Sequence, residues 1–230
     1  MDLKFRSASV RKIPKSFSLS VIKEMRKDEF IPSEVDEGYL FLEKSEYDTY
    51  IFKYLNKVTL IHTEYNGNFT KKTDYDIKET IFEIDLKNSF MIVYSGKSQS
   101  DYFMRRLFKK IGYFDSFISI NFIHFLSMLK QSNYIVQSEE AVINGFTHNE
   151  ILIGKYIASI KSLDILHHVL NSYTNKVVKI KLQLEDQNEN VSILSIDKSG
   201  SFTFNSFDKN NEYLLKYCIL NSIVGDLEWL

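Results

Sequence analysis

The chain has 230 residues, of which 44% are hydrophobic and 14% aromatic, enough to form a sizeable buried core. Its 29 basic and 30 acidic residues nearly cancel, so any attraction to nucleic acid or to an anionic membrane must be local. The single cysteine, Cys218, excludes an internal disulfide framework and the usual cysteine-rich zinc sites, and is compatible with a reducing, intracellular location. The first ten residues lack the apolar run of a signal sequence, and no stretch approaches the ~18 apolar residues of a membrane helix.

The first half is predicted to consist of a helix, a strand, a second helix and a run of antiparallel strands. Apolar spacing predicts a helical preface over Ser16 to Lys27 and then a strand over Gly38 to Leu42. A helix is expected from Glu46 to Leu55, because Ser45 and Asp48 have the spacing of a capping box. Four predicted strands follow, the first two joined by an Asn-Gly-Asn hairpin turn: Val58 to Tyr65, Phe69 to Ile77, Thr80 to Leu86 and Ser89 to Ser95.

An amphipathic helix is predicted to close this first unit. Ser98 and Asp101 are placed to cap its start. Gly96-Lys97-Ser98 is also part of the phosphate-binding loop pattern, but that motif requires a glycine at position 91, where the chain has Met91. We therefore interpret the tripeptide as a helix start.

The second half is predicted to follow the same order. A helical preface is expected over Asn121 to Lys130, then a strand over Lys155 to Ile160 and a helix from Leu163 to Tyr173 with Ser162 as its cap. The pattern assigns no element to residues 131–154. Three strands come next, with period-two alternation in the first: Val177 to Leu184, Val191 to Ile196 and Ser201 to Asn205.

An internal repeat relates the two halves. Ile81 to Phe90 returns 112 residues later as Ile193 to Phe202, with five of ten positions identical. Upstream of this segment the spacing between matched residues of the two copies increases to 119. The first copy therefore has seven additional residues, which we place in the turn at Asn66-Gly67-Asn68. Each copy is expected to end in a helix with matched apolar positions, including Ile111 and Ile223.

The segment from Thr80 to Phe114 resembles the half-repeat of the TATA-box-binding proteins. It has an apolar strand, a tight turn, a second strand, a Gly-Lys-Ser helix start and a basic helix that ends in Ile-Gly-Tyr-Phe; a weaker likeness covers Val191 to Gly225. That family forms a pseudo-twofold saddle whose concave sheet lies in the minor groove and kinks DNA with paired Phe wedges. The aligned wedge positions of one strand hold Leu86 and Lys198 here.

The expected fold class is α+β, with duplicated strand-helix-antiparallel strands-helix units that form a curved sheet with helices on one face. The first repeat spans residues 1–113, with a helical preface at 1–37 and a saddle half at 38–113. The second spans residues 114–230, with a preface and insertion at 114–154 and a saddle half at 155–230. The two halves are expected to form one continuous globular unit.

Lysines at equivalent strand positions define a candidate nucleic-acid-binding surface. On the polar face of a half-buried sheet they would neutralise phosphates while neighbouring apolar side chains touch sugars or bases. Ordinary solubilising lysines are the alternative interpretation. With the two wedge positions, the candidate residues are Lys71, Lys72, Lys78, Leu86, Phe90, Ile92, Tyr94, Lys176, Lys179, Lys181, Lys198, Phe202 and Phe204.

A second basic cluster lies on the exposed side of the closing helix. In the saddle family the helical back surface meets protein partners, so this cluster is a candidate partner-binding patch for an acidic protein or the DNA backbone. A solvated helix face is the alternative. Its members are Arg105, Arg106, Lys109 and Lys110.

The sequence offers no recognisable catalytic, metal or cofactor site. The five histidines lack ligand spacing, and the adjacent His167 and His168 point about 100° apart on a helix. Cys218 stands among apolar neighbours in the last helix, which favours core packing over an activated thiolate.

The expected function is therefore non-catalytic. The chain is expected to be a double-stranded-DNA-binding factor like the TATA-box-binding proteins, within an intracellular transcription-initiation or genome-associated complex in the cytoplasm, nucleoid or nucleus. Protein subunits are its expected partners, with no membrane and no small-molecule substrate. The alternative is a protein-interaction or scaffold subunit of a heteromeric complex that uses the same fold without binding DNA, since Tyr and Phe suit interface cores.

Overall fold

The computed structural model describes residues 7–14, 17–44, 48–66, 68–112, 118–132, 134–148, 152–205, 217–218 and 221–224. The fold is α+β, and its strands pair antiparallel. The described helices are α1 Leu19–Lys27, α2 Lys97–Ile111, α3 Phe122–Lys130 and α4 Leu163–Ser172. The described strands are β1 Ser7–Lys12, β2 Glu37–Lys44, β3 Thr49–Tyr65, β4 Phe69–Asp85, β5 Phe90–Tyr94, β6 Ser119–Ile120, β7 Ile135–His148, β8 Leu152–Ser159, β9 Val177–Glu185, β10 Val191–Asp197, β11 Ser201–Phe204 and β12 Ile223–Val224.

Two compact units divide the chain. The N-terminal unit comprises residues 11–116, and the C-terminal unit comprises residues 117–230 together with residues 1–10. β1 crosses this boundary in sequence, and its first residues, Ser7 to Ser9, pair with β11 of the C-terminal unit.

The N-terminal unit is a four-stranded antiparallel sheet with two helices on one face. Its strand order is β2-β3-β4-β5. Alternate residues of each strand point to the same face, and on the helix-covered face Phe52 and Phe82 stack with their ring centroids 5.6 Å apart and 10° between planes. Phe103 of α2 contacts Phe82 at a centroid distance of 4.6 Å. Both helices are thereby fixed to one aromatic core.

The predicted helix from Glu46 to Leu55 is wrong, because Thr49 begins a 17-residue strand. The apolar residues of this segment fit both a helical and an alternating period. Tyr50, Phe52 and Tyr54 are buried at every second position, and aromatic and β-branched residues suit a pleated surface. The backbone hydrogen bonds to β4 stabilise the extended conformation, so the segment forms a strand and not a helix. The proposed capping residue Ser45 lies outside the described residues.

Two further boundaries differ from the predictions. The strands predicted at Phe69 to Ile77 and Thr80 to Leu86 form one continuous β4, paired with β3 in unbroken register over its whole length. The capping prediction for α2 is wrong as well. Gly96 is the N-cap residue and makes no side-chain capping bond within the described residues, while Asp101 is paired with Arg11.

The C-terminal unit contributes sheet strands in the order β1-β11-β10-β9-β7-β8. Helices α3 and α4 both contact β7. The predicted cap of α4 is confirmed, since Ser162 Oγ accepts a hydrogen bond from the backbone N–H of Ile165 at 3.3 Å. The helical prefaces are also confirmed, as α1 and α3. β7 fills much of the stretch for which the sequence pattern assigned no element.

The sequence repeat predicts that the C-terminal unit ends in a helix equivalent to α2, and the structure differs from this prediction. Tyr217 and Cys218 are helical, as are Asn221 and Ser222. Ile223, expected in a helix opposite Ile111, lies instead in β12 and pairs with β6. Cys218 is fully buried, which confirms core packing, and burial raises the pKa of its thiol to about 12.

Candidate interaction surfaces

The most exposed feature of the N-terminal unit is the far end of the β3–β4 hairpin. β2 pairs with β3 as far as Asn56, and β5 pairs with β4 only from Ile81 onward. Beyond these points Lys57–Tyr65 and Phe69–Ile77 pair only with each other among the described strands, in nine register positions. We call this two-stranded segment the ribbon. At the usual rise it is about 30 Å long.

One face of the ribbon is apolar and exposed. Residues with odd numbers on both strands share this face, because cross-strand partners project to the same side. The rings of Tyr65 and Phe69 lie 4.9 Å apart at the tip. The exposed fractions of the five large apolar side chains are 66% for Ile61, 67% for Tyr65, 79% for Phe69, 63% for Tyr75 and 42% for Ile77.

The opposite face of the ribbon mixes charges of both signs. Lys72 Nζ lies 3.7 Å from Glu64 Oε1. The carboxylates of Asp74 and Asp76 each accept a hydrogen bond from the following backbone N–H at 2.8 Å. The ribbon is therefore amphipathic, with its charges concentrated on one side.

The structure separates the predicted lysines of the ribbon region. Lys71, Lys72 and Lys78 are all exposed. Lys72 and Lys78 extend from the charged face, whereas Lys71 lies on the apolar face, since adjacent strand residues alternate. Sequence reasoning identified the lysines but missed the apolar face. The available signal was the matched alternation of large apolar residues on both sides of the Asn-Gly-Asn turn.

The aromatic candidates of the N-terminal unit lie at the base of its sheet. Phe90, Ile92 and Tyr94 project from the face opposite the helices, where Phe90 and Ile92 are half-buried. Tyr94 is buried and donates a hydrogen bond from its hydroxyl to Glu83 Oε2 at 2.8 Å. Leu86 is partly buried and packs against the core.

Phe202 and Phe204 are instead in the core of the C-terminal unit, with 3% and 5% of their surface exposed. Phe90 and Phe202, which the sequence repeat matches, project from opposite faces of their strands. A one-residue difference in length between the preceding turns explains this. Four residues, Leu86–Ser89, separate β4 from β5, whereas three residues, Lys198–Gly200, separate β10 from β11. A shift of one residue moves a strand's side chains to the other face.

Lys179 and Lys181 lie together in a groove of the C-terminal unit. The groove has a volume of about 340 Å³ and is also lined by Glu140, Ser195 and Thr203. Lys181 Nζ is 2.7 Å from Glu139 Oε2, and this hydrogen bond raises the pKa of the ammonium group. The neighbouring carboxylates thus offset the positive charge. Two other predicted lysines are not among the groove's lining residues: Lys176 is exposed after α4 and Lys198 is half-buried in a turn.

The basic cluster of α2 is partly neutralised within its own unit. Arg106 Nη1 lies 3.4 Å from Glu37 Oε2, and Lys110 Nζ lies 2.8 Å from Asp28 Oδ2. Arg105 and Lys109 are exposed on the same helix. Half of the predicted patch therefore contributes to internal ion pairs.

A buried tyrosine network lies beside this cluster. The hydroxyl of Tyr54 donates a hydrogen bond to Glu37 Oε2 at 2.5 Å. Burial, reinforced by that hydrogen bond, raises the pKa of Tyr54, and burial also raises the pKa of Tyr39. Both phenols stay protonated well above their ordinary range and act as neutral packing groups.

No protein-family model and no curated protein sequence matches the chain. In the part of the chain that the structure describes, no three His, Cys, Asp or Glu residues come together as a potential metal site. None of the described helices is long and apolar enough to cross a membrane.

Proposed function

We propose that this chain is a non-catalytic protein-interaction subunit that docks on another polypeptide chain through the apolar face of the ribbon. The observation that carries this proposal is the row of five large side chains, 42–79% exposed, on one side of a projecting element. Monomeric proteins rarely leave such a contiguous surface uncovered, and interface cores are enriched in Tyr and Phe. The proposal develops the interaction role expected as the alternative from the sequence.

Docking through the face is favoured over strand addition at the ribbon's edge. Among the described strands, both outer edges of the ribbon lack a neighbour, and edge strands that must not pair with other chains usually carry charges. β4 has such charges at Lys71, Lys72, Asp74 and Asp76. The apolar face carries fewer charged groups, which leaves it as the better docking surface.

We also infer that the two units arose by duplication, but with a different correspondence from the one the sequence pattern indicated. β2 flanks β3 as β7 flanks β9, so β2 is matched with β7. Both units then follow the order helix and four strands, and β8 with α4 is an insertion in the second. A saddle like that of the TATA-box-binding proteins is the finer architecture that this duplication would build.

Affinity purification of the tagged full chain from its native cells tests the interaction role. The test variant is the double substitution Ile61→Lys with Phe69→Lys on the apolar face. Its matched control is His62→Lys with Thr70→Lys, which adds the same lysines at adjacent positions on the charged face. Because only the first variant charges the proposed interface, we expect co-purifying protein to be lost with it and kept with the control. Equal recovery with both variants would refute docking through this face.

Double-stranded DNA is a second candidate ligand, favoured by one observation. A two-stranded ribbon fits the major groove, and this one carries exposed Lys71 and Lys72, with Lys78 at its base. Gel-shift titration of a duplex at low salt should then show binding that weakens when these three residues are changed to Glu. Reversal of Lys179 and Lys181 to Glu tests the groove of the C-terminal unit in the same way. Absence of duplex binding at low salt would remove this candidate.

A further inference from the structure

We propose that the occupant of the ribbon's apolar face is the same face of a second copy of this chain, so that two ribbons pack as a two-fold dimer. This inference rests on the proposed function and names its partner. It follows from the order of side chains along the face and from the area that the face offers.

The apolar face consists of five cross-strand rows. From the tip to the base, each row joins one residue of β3 to its partner on β4. The rows are Tyr65 with Phe69, Thr63 with Lys71, Ile61 with Thr73, Thr59 with Tyr75, and Lys57 with Ile77.

A two-fold axis along the middle row makes this pattern complementary to itself. The axis brings the first row onto the fifth and the second row onto the fourth, with β3 over the partner's β3. Phe69 then meets the partner's Ile77, and Ile61 meets the partner's Ile61. Tyr65 lies over the partner's Lys57, and the remaining threonines meet threonines, so large apolar side chains meet each other at both ends and at the centre of the contact.

Charges are also compatible with this arrangement. The face carries two ammonium groups, and Lys57 Nζ is 3.3 Å from Asp36 Oδ1 in its own chain. The second, Lys71, is brought onto the partner's Tyr75, whose ring face attracts a cation. No two like charges of the face meet across the axis.

The area is sufficient for a specific dimer. The three aromatic side chains are 63–79% exposed, and at roughly 150–250 Å² each they offer about 400 Å². With the two isoleucines and the threonines, each copy contributes on the order of 600 Å², so a dimer buries about 1,200 Å², the lower limit for stable interfaces. A lone two-stranded hairpin is marginally stable in water, and face-to-face packing supplies the second layer.

Analytical ultracentrifugation of the full chain over a range of concentrations tests the dimer. We expect a concentration-dependent dimer for the wild type and for the control His62→Lys with Thr70→Lys. The variant Ile61→Lys with Phe69→Lys should sediment as a monomer, with a circular dichroism spectrum unchanged from the wild type. If that variant unfolds, cross-linking through Ile61→Cys tests the dimer instead.

Cross-linking at the axis tests the geometry. Ile61→Cys should form a disulfide-linked dimer under mild oxidation, because the two introduced thiols would meet across the axis. His62→Cys, one residue away on the other face, should cross-link at least ten times more slowly. The native Cys218 is buried and does not interfere.

The outcomes separate this inference from the proposed function. A monomer at all concentrations, with no cross-link through Ile61→Cys, overturns the dimer. If co-purifying protein is still lost on Ile61→Lys with Phe69→Lys, the ribbon docks a different protein and the proposed function stands. A dimer that persists in this charged variant also overturns the inference, because another surface must then form it.

Discussion

The β3–β4 hairpin of the N-terminal unit and the β9–β10 hairpin of the C-terminal unit occupy matching places in their sheets but differ in length. β3 and β4 pair over 17 positions, and β9 and β10 over seven. β7 covers β9 from Val177 to Glu185, whereas the neighbours of the longer hairpin stop at its base. The same element is thus structural in one unit and projects as a surface in the other. Exposed aromatic residues on the projecting part are the observation from which the binding role is proposed.

The largest expected difference in unfolding free energy is between substitutions at the base and at the tip of the long hairpin. Phe52→Ala at the base removes a fully buried ring that stacks on Phe82 and should cost about 3–5 kcal/mol of unfolding free energy. Phe69→Ala at the tip should change the stability of the single chain by about 0.5 kcal/mol or less. Urea unfolding at low protein concentration measures both. Similar losses for the two variants would mean that the tip is packed within its own chain.

Much of the strand content could be predicted from the sequence. Alternation identified β9, because Val178, Ile180, Leu182 and Leu184 recur at every second position. The segment at Thr49 was ambiguous, since its apolar residues match both periods, and only the pairing with β4 resolves them. The Asn-Gly-Asn turn was correctly located, but sequence alone does not reveal where β2 and β5 stop supporting the hairpin.

The candidate site was harder to predict for a related reason. Exposure of Phe69 and Tyr75 depends on the absence of neighbours in three dimensions, whereas their residue types alone favour burial. Likewise, the repeat matched Phe90 with Phe202, but the turn before each strand differs by one residue and reverses their faces. Local patterns identify strands well and identify exposed faces only when one face is clearly polar.

Alkaline pH should weaken the aromatic core of the N-terminal unit. The folded pKa values of Tyr39 and Tyr54 are raised above the ordinary value of 10.0, so their contribution to stability is complete below pH 10 and is lost as pH rises toward the folded values. One pH unit above 10, the loss should be about 1 kcal/mol for each group.

Urea unfolding between pH 8 and pH 11 measures this dependence. Tyr54→Phe should flatten the alkaline decline, because it removes one of the two raised groups. Tyr75→Phe, which removes an exposed phenol on the ribbon, is the control and should leave the decline unchanged. A decline that is identical in all three proteins would contradict the assignment to the buried tyrosines.

The two equivalent turns should respond differently to substitution. Gly200 has φ +83°, and an added Cβ would lie 2.3 Å from Ile118 Cδ1, so Gly200→Ala should cost about 1–2 kcal/mol from backbone strain alone and more from the contact. Ser89, at φ +59° in the longer turn, already bears such strain. Ser89→Gly should therefore be within about 0.5 kcal/mol of neutral, since relief of strain offsets the greater entropy of the unfolded chain. Thermal unfolding that shows equal losses would refute the distinction between the turns.

The smallest expected effect compares the starts of α4 and α2. Ser162 caps α4, so Ser162→Ala should cost about 1 kcal/mol by leaving a helix amide unpaired. α2 starts at Gly96 without a side-chain cap among the described residues, and a Cβ added there meets nothing within 4 Å. Gly96→Asp should therefore stabilise the N-terminal unit by a few tenths of a kcal/mol, through a new cap and a favourable interaction with the helix dipole. Urea unfolding of the two single variants and their combination should give additive changes, because the substitutions lie in different units. A loss of stability on Gly96→Asp would contradict the expected cap, because Gly96 has φ −61° and ψ 154°, a conformation open to any residue.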